Sequence, residues 1–221
     1  GPIVNNANVT WTSLPGANGS AADGASTPGT PGSATGERTG AGGVNDYSAT
    51  AAATVTVGSV AMVKSIVNAK SRYAIGDVVD FRVDIGVPGS AFGALGSVVL
   101  TDVLGAGLTY VPGSLAIAWS GVSAATPPTD FSRTDNAPAA EQETLVASFG
   151  SLTNTGASAA TVTLTYRAAV DNVLGNQANA TLGNAATLTY ADPGAGGAAA
   201  TIGPSTTSVT VGEPFLALAK T

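Results

Sequence analysis

The 221 residues contain no histidine and no cysteine, so the side chains that could do chemistry are carboxylates, lysine amines, carboxamides and hydroxyls. Disulfides, thiol nucleophiles and cysteine-held metals are excluded together. For catalysis on an external substrate, Ser/Lys pairs or paired carboxylates remain, and neither forms a motif here. Four oxygen-bearing residues fall within one long segment, Asp23, Glu37, Asn45 and Asp46, and they are the ligand type that a hard cation such as calcium takes. Their spacing lacks the strict alternation of an EF-hand loop, and the competing reading is that they are solvated loop carboxylates. Trp11 and Trp119 could act as stacking platforms for sugars, but burial in a core is the expected place for both rings. A formal charge of −6, without any cluster of Lys or Arg, argues against a nucleic-acid partner, which would need phosphate-neutralising cations. No continuous apolar run approaches the ~18 residues that a membrane span requires.

The elements that must position these residues are strands. Val79, Phe81, Val83, Ile85 and Val87 alternate with Asp80, Arg82, Asp84 and Gly86, the period-two pattern of a half-buried strand. Similar segments are expected near 3–11, 50–57, 59–66, 77–87, 96–104, 114–119, 143–150, 159–170, 181–190 and 205–211. They are separated by turn chemistry at Gly76-Asp77, Pro88-Gly89, Pro112-Gly113 and Thr155-Gly156. Helical periodicity is absent over any useful length, which disfavours a Rossmann or P-loop site. Many short β-branched strands predict an all-β, Ig-like antiparallel β-sandwich. Residues 15–46, rich in Gly, Ala, Ser and Pro, read as a long loop inside a hairpin, and 120–142, with Pro127, Pro128 and Pro138, as a loop or edge extension.

The chain also repeats itself. Val60 to Ser65 (VAMVKS) is answered by Leu216 to Thr221 (LALAKT), and Asn5 to Trp11 (NNANVTW) by Asn184 to Tyr190 (NAATLTY). Each Asn-led segment is followed by a Gly/Ala/Pro-rich stretch and then a Val/Thr strand, Ala53 to Val57 or Thr207 to Val211. Such self-similarity indicates a tandem array. It divides the chain into the closing hairpin of one repeat (1–57), a complete sandwich (58–212) and the first strand of another repeat (213–221).

Val98 to Ser114 (VVLTDVLGAGLTYVPGS) resembles the D-x-L-P-A-G-L-x-Y-x-x-G-S stretch of a repeat family in large bacterial surface proteins, related to isopeptide-forming domains of fimbriae and adhesins. The resemblance extends over about 59–212. Gly105 departs from it, standing where the family pattern usually has Pro and implying a looser turn after Asp102. The resemblance implies an autocatalytic crosslink in which a Lys on the first strand attacks an Asn on a late strand, assisted by a buried carboxyl group. The matching residues are Lys64, Asn184 and Asp102. The strand pattern turns Asp80 and Asp84 outward, away from that role. Each member of the trio has a plainer reading: a solvent-facing strand lysine, a turn-capping Asp and a bend-forming Asn. Alternation puts Lys64 on the face of Val60 and Met62.

The function expected from this resemblance is that of a structural repeat in an extracellular fibre, stalk or adhesin shaft at the bacterial cell surface, without external substrate or cofactor. The alternative is an adhesin module binding glycan or host protein. The repeat arithmetic also makes Asn5 the counterpart of Asn184 and Lys220 the counterpart of Lys64. A terminal strand of one subunit is therefore expected to complete the hairpin of an identical subunit, head to tail.

Overall fold

The computed structural model describes residues 2–11, 47–56, 58–134 and 142–212. They fall into two compact units, Gly1–Val57 and Gly58–Thr221. Asp23, Glu37, Asn45, Asp46, Pro138 and the Lys220 strand lie outside the described residues.

The first unit is a two-stranded antiparallel ladder of β1 (Pro2–Trp11) and β2 (Tyr47–Thr56), in unbroken register from Pro2 opposite Thr56 to Trp11 opposite Tyr47.

The second unit is an antiparallel β-sandwich, the Ig-like architecture expected from the sequence. Its strands are β3 (Ala61–Val67), β4 (Val78–Val87), β5 (Leu95–Leu104), β6 (Leu108–Tyr110), β7 (Ala116–Ser120), β8 (Val122–Ala124), β9 (Ser132–Thr134), β10 (Glu143–Asn154), β11 (Ala160–Val170), β12 (Thr181–Asp192) and β13 (Ala198–Thr210). One sheet runs β13-β12-β5-β10-β8, with β9 also on β10; the other runs β3-β4-β11-β6, with β7 also on β11.

Alternation builds the core. Val79, Phe81, Val83, Ile85 and Val87 of β4 are wholly buried, as are Val162 and Leu164 of β11 and Leu100, Leu104, Leu145, Phe149, Leu152 and Leu188 of the facing sheet. Each such side chain removed from water contributes roughly 1.5–3 kcal/mol. Where alternation breaks, a bulge repairs it. Leu95 and Val98 both point inward although they are three residues apart, with Ser97 between them at φ 47°. The partner strand shifts register around Gly150, at φ 68°. An extra residue in a ladder bends the strand and restores the inward face beyond it.

Several boundaries differ from the sequence reading. β10 continues to Asn154, and β13 begins at Ala198 rather than near 205 because its small residues carry no alternating signal but still pair with β12. Over the described residues 120–134 of the 120–142 segment, the edge extension is seen, with β8 and β9 both added to β10. Trp119 departs from its expected place in the core. It lies on β7, whose residues are mostly exposed, and is itself 36% exposed, with its ring edge-on to Phe149. Nor does Gly105 loosen its turn: its N–H donates to the Gly183 carbonyl at 2.7 Å, prolonging the β5–β12 ladder, and a Cβ there would meet the same oxygen. Proline could not make that bond.

Candidate functional site

Four polar side chains meet inside the sandwich, drawn from four strands and both sheets. In β3 the burial pattern alternates through Met62 and Lys64, so the Lys64 side chain enters the core and is wholly buried. Asp102 lies on β5, on the same inward face as Leu100 and Leu104. Asn184 lies on β12, paired with Leu104, while Asp102 is paired with Ala186. Asn184 and Asp102 are therefore diagonal neighbours on one face, a spacing within reach of side-chain contact. Tyr166 comes from β11 in the opposite sheet, inward like Leu164 and Ala168.

The contacts are specific. Lys64 Nζ donates to Asp102 Oδ2, and to the Tyr166 hydroxyl at 2.6 Å. The Tyr166 hydroxyl donates to Asp102 Oδ2 at 2.7 Å and accepts from Asn184 Nδ2 at 2.8 Å. Lys64 Nζ also lies 5.2 Å from the centre of the Phe81 ring and 5.0 Å from that of Tyr166, within cation–π range. The β3 backbone is fixed as well, with the Lys64 N–H donating to Ser205 Oγ of β13 at 2.9 Å.

Burial dominates the electrostatics. Desolvation pulls the Lys64 amine below the ordinary lysine range, opposed by the charge and hydrogen bond of Asp102. Desolvation likewise raises the Asp102 carboxyl, opposed by Lys64 and by the Tyr166 hydrogen bond. Both shifts favour the neutral pair, an amine with a free lone pair beside a protonated acid. The Tyr166 phenol is raised well above its usual value, first by burial and then by the nearby Asp102 charge, so it keeps its proton.

Two atoms of this cluster lack partners. Asp102 Oδ1 and Asn184 Oδ1 are the buried side-chain oxygens left without a hydrogen bond among the described residues. Such orphans cost roughly 1–3 kcal/mol each. A proton on Asp102 Oδ1 would turn one of them into a donor.

The other buried polar side chains bond chiefly to the backbone. Glu143 accepts from the Tyr110 N–H and from Arg133, Asn154 donates to the carbonyls of Val87, Pro88 and Ser158, and Asn176 donates to those of Gly107 and Asp171. Among the described residues no group of three or more carboxylates gathers as a metal site, and no helix is long and apolar enough to cross a membrane. Asn5 is exposed on β1, opposite Ala53.

Sequence reasoning reached Lys64, Asp102 and Asn184 but missed Tyr166. The signal was present: a tyrosine in the inward register of an alternating strand must find a buried partner for its hydroxyl.

No family model matches the chain, and no curated protein matches it. Among solved structures, the pilus backbone RrgB of Streptococcus pneumoniae is 17% identical with a TM-score of 0.42, the match covering 61% of this chain and 53% of that one. A 35 kDa C-terminal fragment of the major pilin of Streptococcus agalactiae is 12% identical, with a TM-score of 0.45 and coverage of 70% and 56%. BcpA, the major pilin subunit of Bacillus cereus, is 11% identical, with a TM-score of 0.43 and coverage of 69% and 40%. The chain thus spans about half the length of the first two and less of the third.

Proposed function

We propose that this chain is a structural module of an extracellular bacterial fibre or stalk, and that its sandwich closes on itself through an isopeptide bond between Lys64 and Asn184. The observation that carries the reading is the buried Lys64–Asp102–Tyr166–Asn184 cluster, in which a desolvated amine and a carboxamide share one hydrogen-bonding partner. The neutral Lys64 Nζ attacks Asn184 Cγ while protonated Asp102 polarises the Asn184 carbonyl. The Cγ–Nδ2 bond of the tetrahedral intermediate then breaks, one proton passes from Nζ to Nδ2, and ammonia leaves. The chain is its own substrate and no cofactor is consumed.

Intact mass spectrometry tests this. Freshly purified, folded protein should be lighter than its sequence by one ammonia, and Lys64→Ala or Asn184→Ala should restore the full mass. A full sequence mass in the wild type would overturn the reading.

The same proposal covers assembly. The hairpin β1–β2 is taken as the closing hairpin of another repeat, with Asn5 in the place of Asn184, to be completed by the Lys220 strand of an identical subunit. Removing residues 214–221 should then leave the sandwich folded and abolish self-association. A wild-type chain that stays monomeric by light scattering at high concentration would count against it.

A further inference from the structure

The Tyr166 hydroxyl has one proton to give and two lone pairs to receive, and all three are committed. It donates to Asp102 Oδ2 and accepts from both Lys64 Nζ and Asn184 Nδ2. A tyrosine buried only for packing needs one partner. This one bridges the two nitrogens that would exchange places on Asn184 Cγ. Its ring is held rigidly for the purpose, stacked on Phe81 with centroids 5.5 Å apart and set edge-on to Phe131 at 5.2 Å.

We propose that Tyr166 is a catalytic residue of the Lys64–Asn184 condensation, holding the attacking and the leaving nitrogen on a single oxygen and carrying the proton from one to the other. The inference rests on the bond proposed above and divides its labour. Asp102, with two donors already on Oδ2 and its Oδ1 unpartnered, polarises the carbonyl. As Nζ bonds to Cγ, its surplus proton passes to the phenol oxygen while the phenol proton turns to Nδ2. The Cγ–Nδ2 bond then breaks, ammonia departs, and Tyr166 ends neutral as it began. No oxidant or reductant is needed.

The test is Tyr166→Phe, which keeps the ring and removes the bridge. Chains made by cell-free synthesis are followed by intact mass against time, with folding checked by melting. We expect ammonia loss slower by about a hundredfold, the scale of a lost general acid–base group. Leu152→Ala, a core truncation on β10, which gives the cluster no side chain, should lower the melting temperature and still yield the lighter mass. Should Tyr166→Phe fail to fold, 3-fluorotyrosine at position 166 preserves shape and acidifies the phenol. The pH profile of ammonia loss, set by Lys64, Asp102 and Tyr166 with Tyr110 alongside, should move to lower pH. A wild type lacking one ammonia, together with a Tyr166→Phe chain that loses it equally fast, overturns the role of Tyr166 alone, as does an unmoved pH profile. A wild type of full mass overturns the bond itself.

Discussion

The hairpins β1–β2 and β12–β13 are built alike and end in opposite environments. In both, the Asn-led strand meets its partner in the same register: Ile3 faces Val55 and Asn5 faces Ala53, as Leu182 faces Val209 and Asn184 faces Thr207. Yet Leu182 is 5% and Leu188 0% exposed, whereas their counterparts Ile3 and Val9 are 60% and 58% exposed. β12 has β5 on its other side and the second sheet above it, while among the described residues β1 pairs with β2 alone. The register is therefore the same in both ladders, but burial is conferred by strands far away in the chain. The chemistry of the Asn depends on the second, since only burial shifts its amine and acid partners.

The widest separation should come from the two asparagines themselves. Asn184→Ala is expected to restore the full mass and lower stability by about 4–5 kcal/mol, the scale of a crosslink closing a loop of roughly 100 residues. Asn5→Ala should leave both mass and calorimetric melting unchanged. Next come the apolar counterparts. Leu188→Ala should cost about 2–5 kcal/mol by denaturant titration, and Val9→Ala within about 0.5 kcal/mol. Gly105→Pro strikes the β5 contact available to β12. It removes the bond to Gly183 and crowds its carbonyl, and should cost about 1–3 kcal/mol.

The smallest effect lies outside both hairpins. Burial raises the Asp130 carboxyl, but hydrogen bonds from the Tyr110 hydroxyl and the Gly113 and Phe131 N–H groups outweigh it and hold it below the ordinary value. Its stabilisation is complete above the unfolded value of about 3.9 and is lost as pH falls through the lower folded one. Asp130→Asn should flatten the fall in melting temperature below about pH 4, leaving the neutral-pH mass loss intact.

Alternation made the sandwich legible, because β4 and β11 write their inward face in Val, Leu, Ile and Phe. It failed where side chains were small, as at the start of β13, and where strands were too short to show a period, as in β6, β8 and β9. Within the cluster, a lysine in register with Val60 and Met62 was a readable anomaly. Tyr166 was not read, because tyrosine is ordinary in strands and its partners are separated from it by up to 102 residues. The short-range sequence holds no record of which strand will lie across the core.

The quartet draws on β3, β5, β11 and β12, so no environment capable of shifting Lys64 or Asp102 exists until the first and penultimate strands have both docked. Contacts between residues so distant in sequence form late and slowly, since loop-closure entropy must be met before they repay it. Any reaction among the four is thus a clock that starts only when folding is finished. A population of such chains would carry its own quality record: every molecule lighter by one ammonia has, at least once, been native.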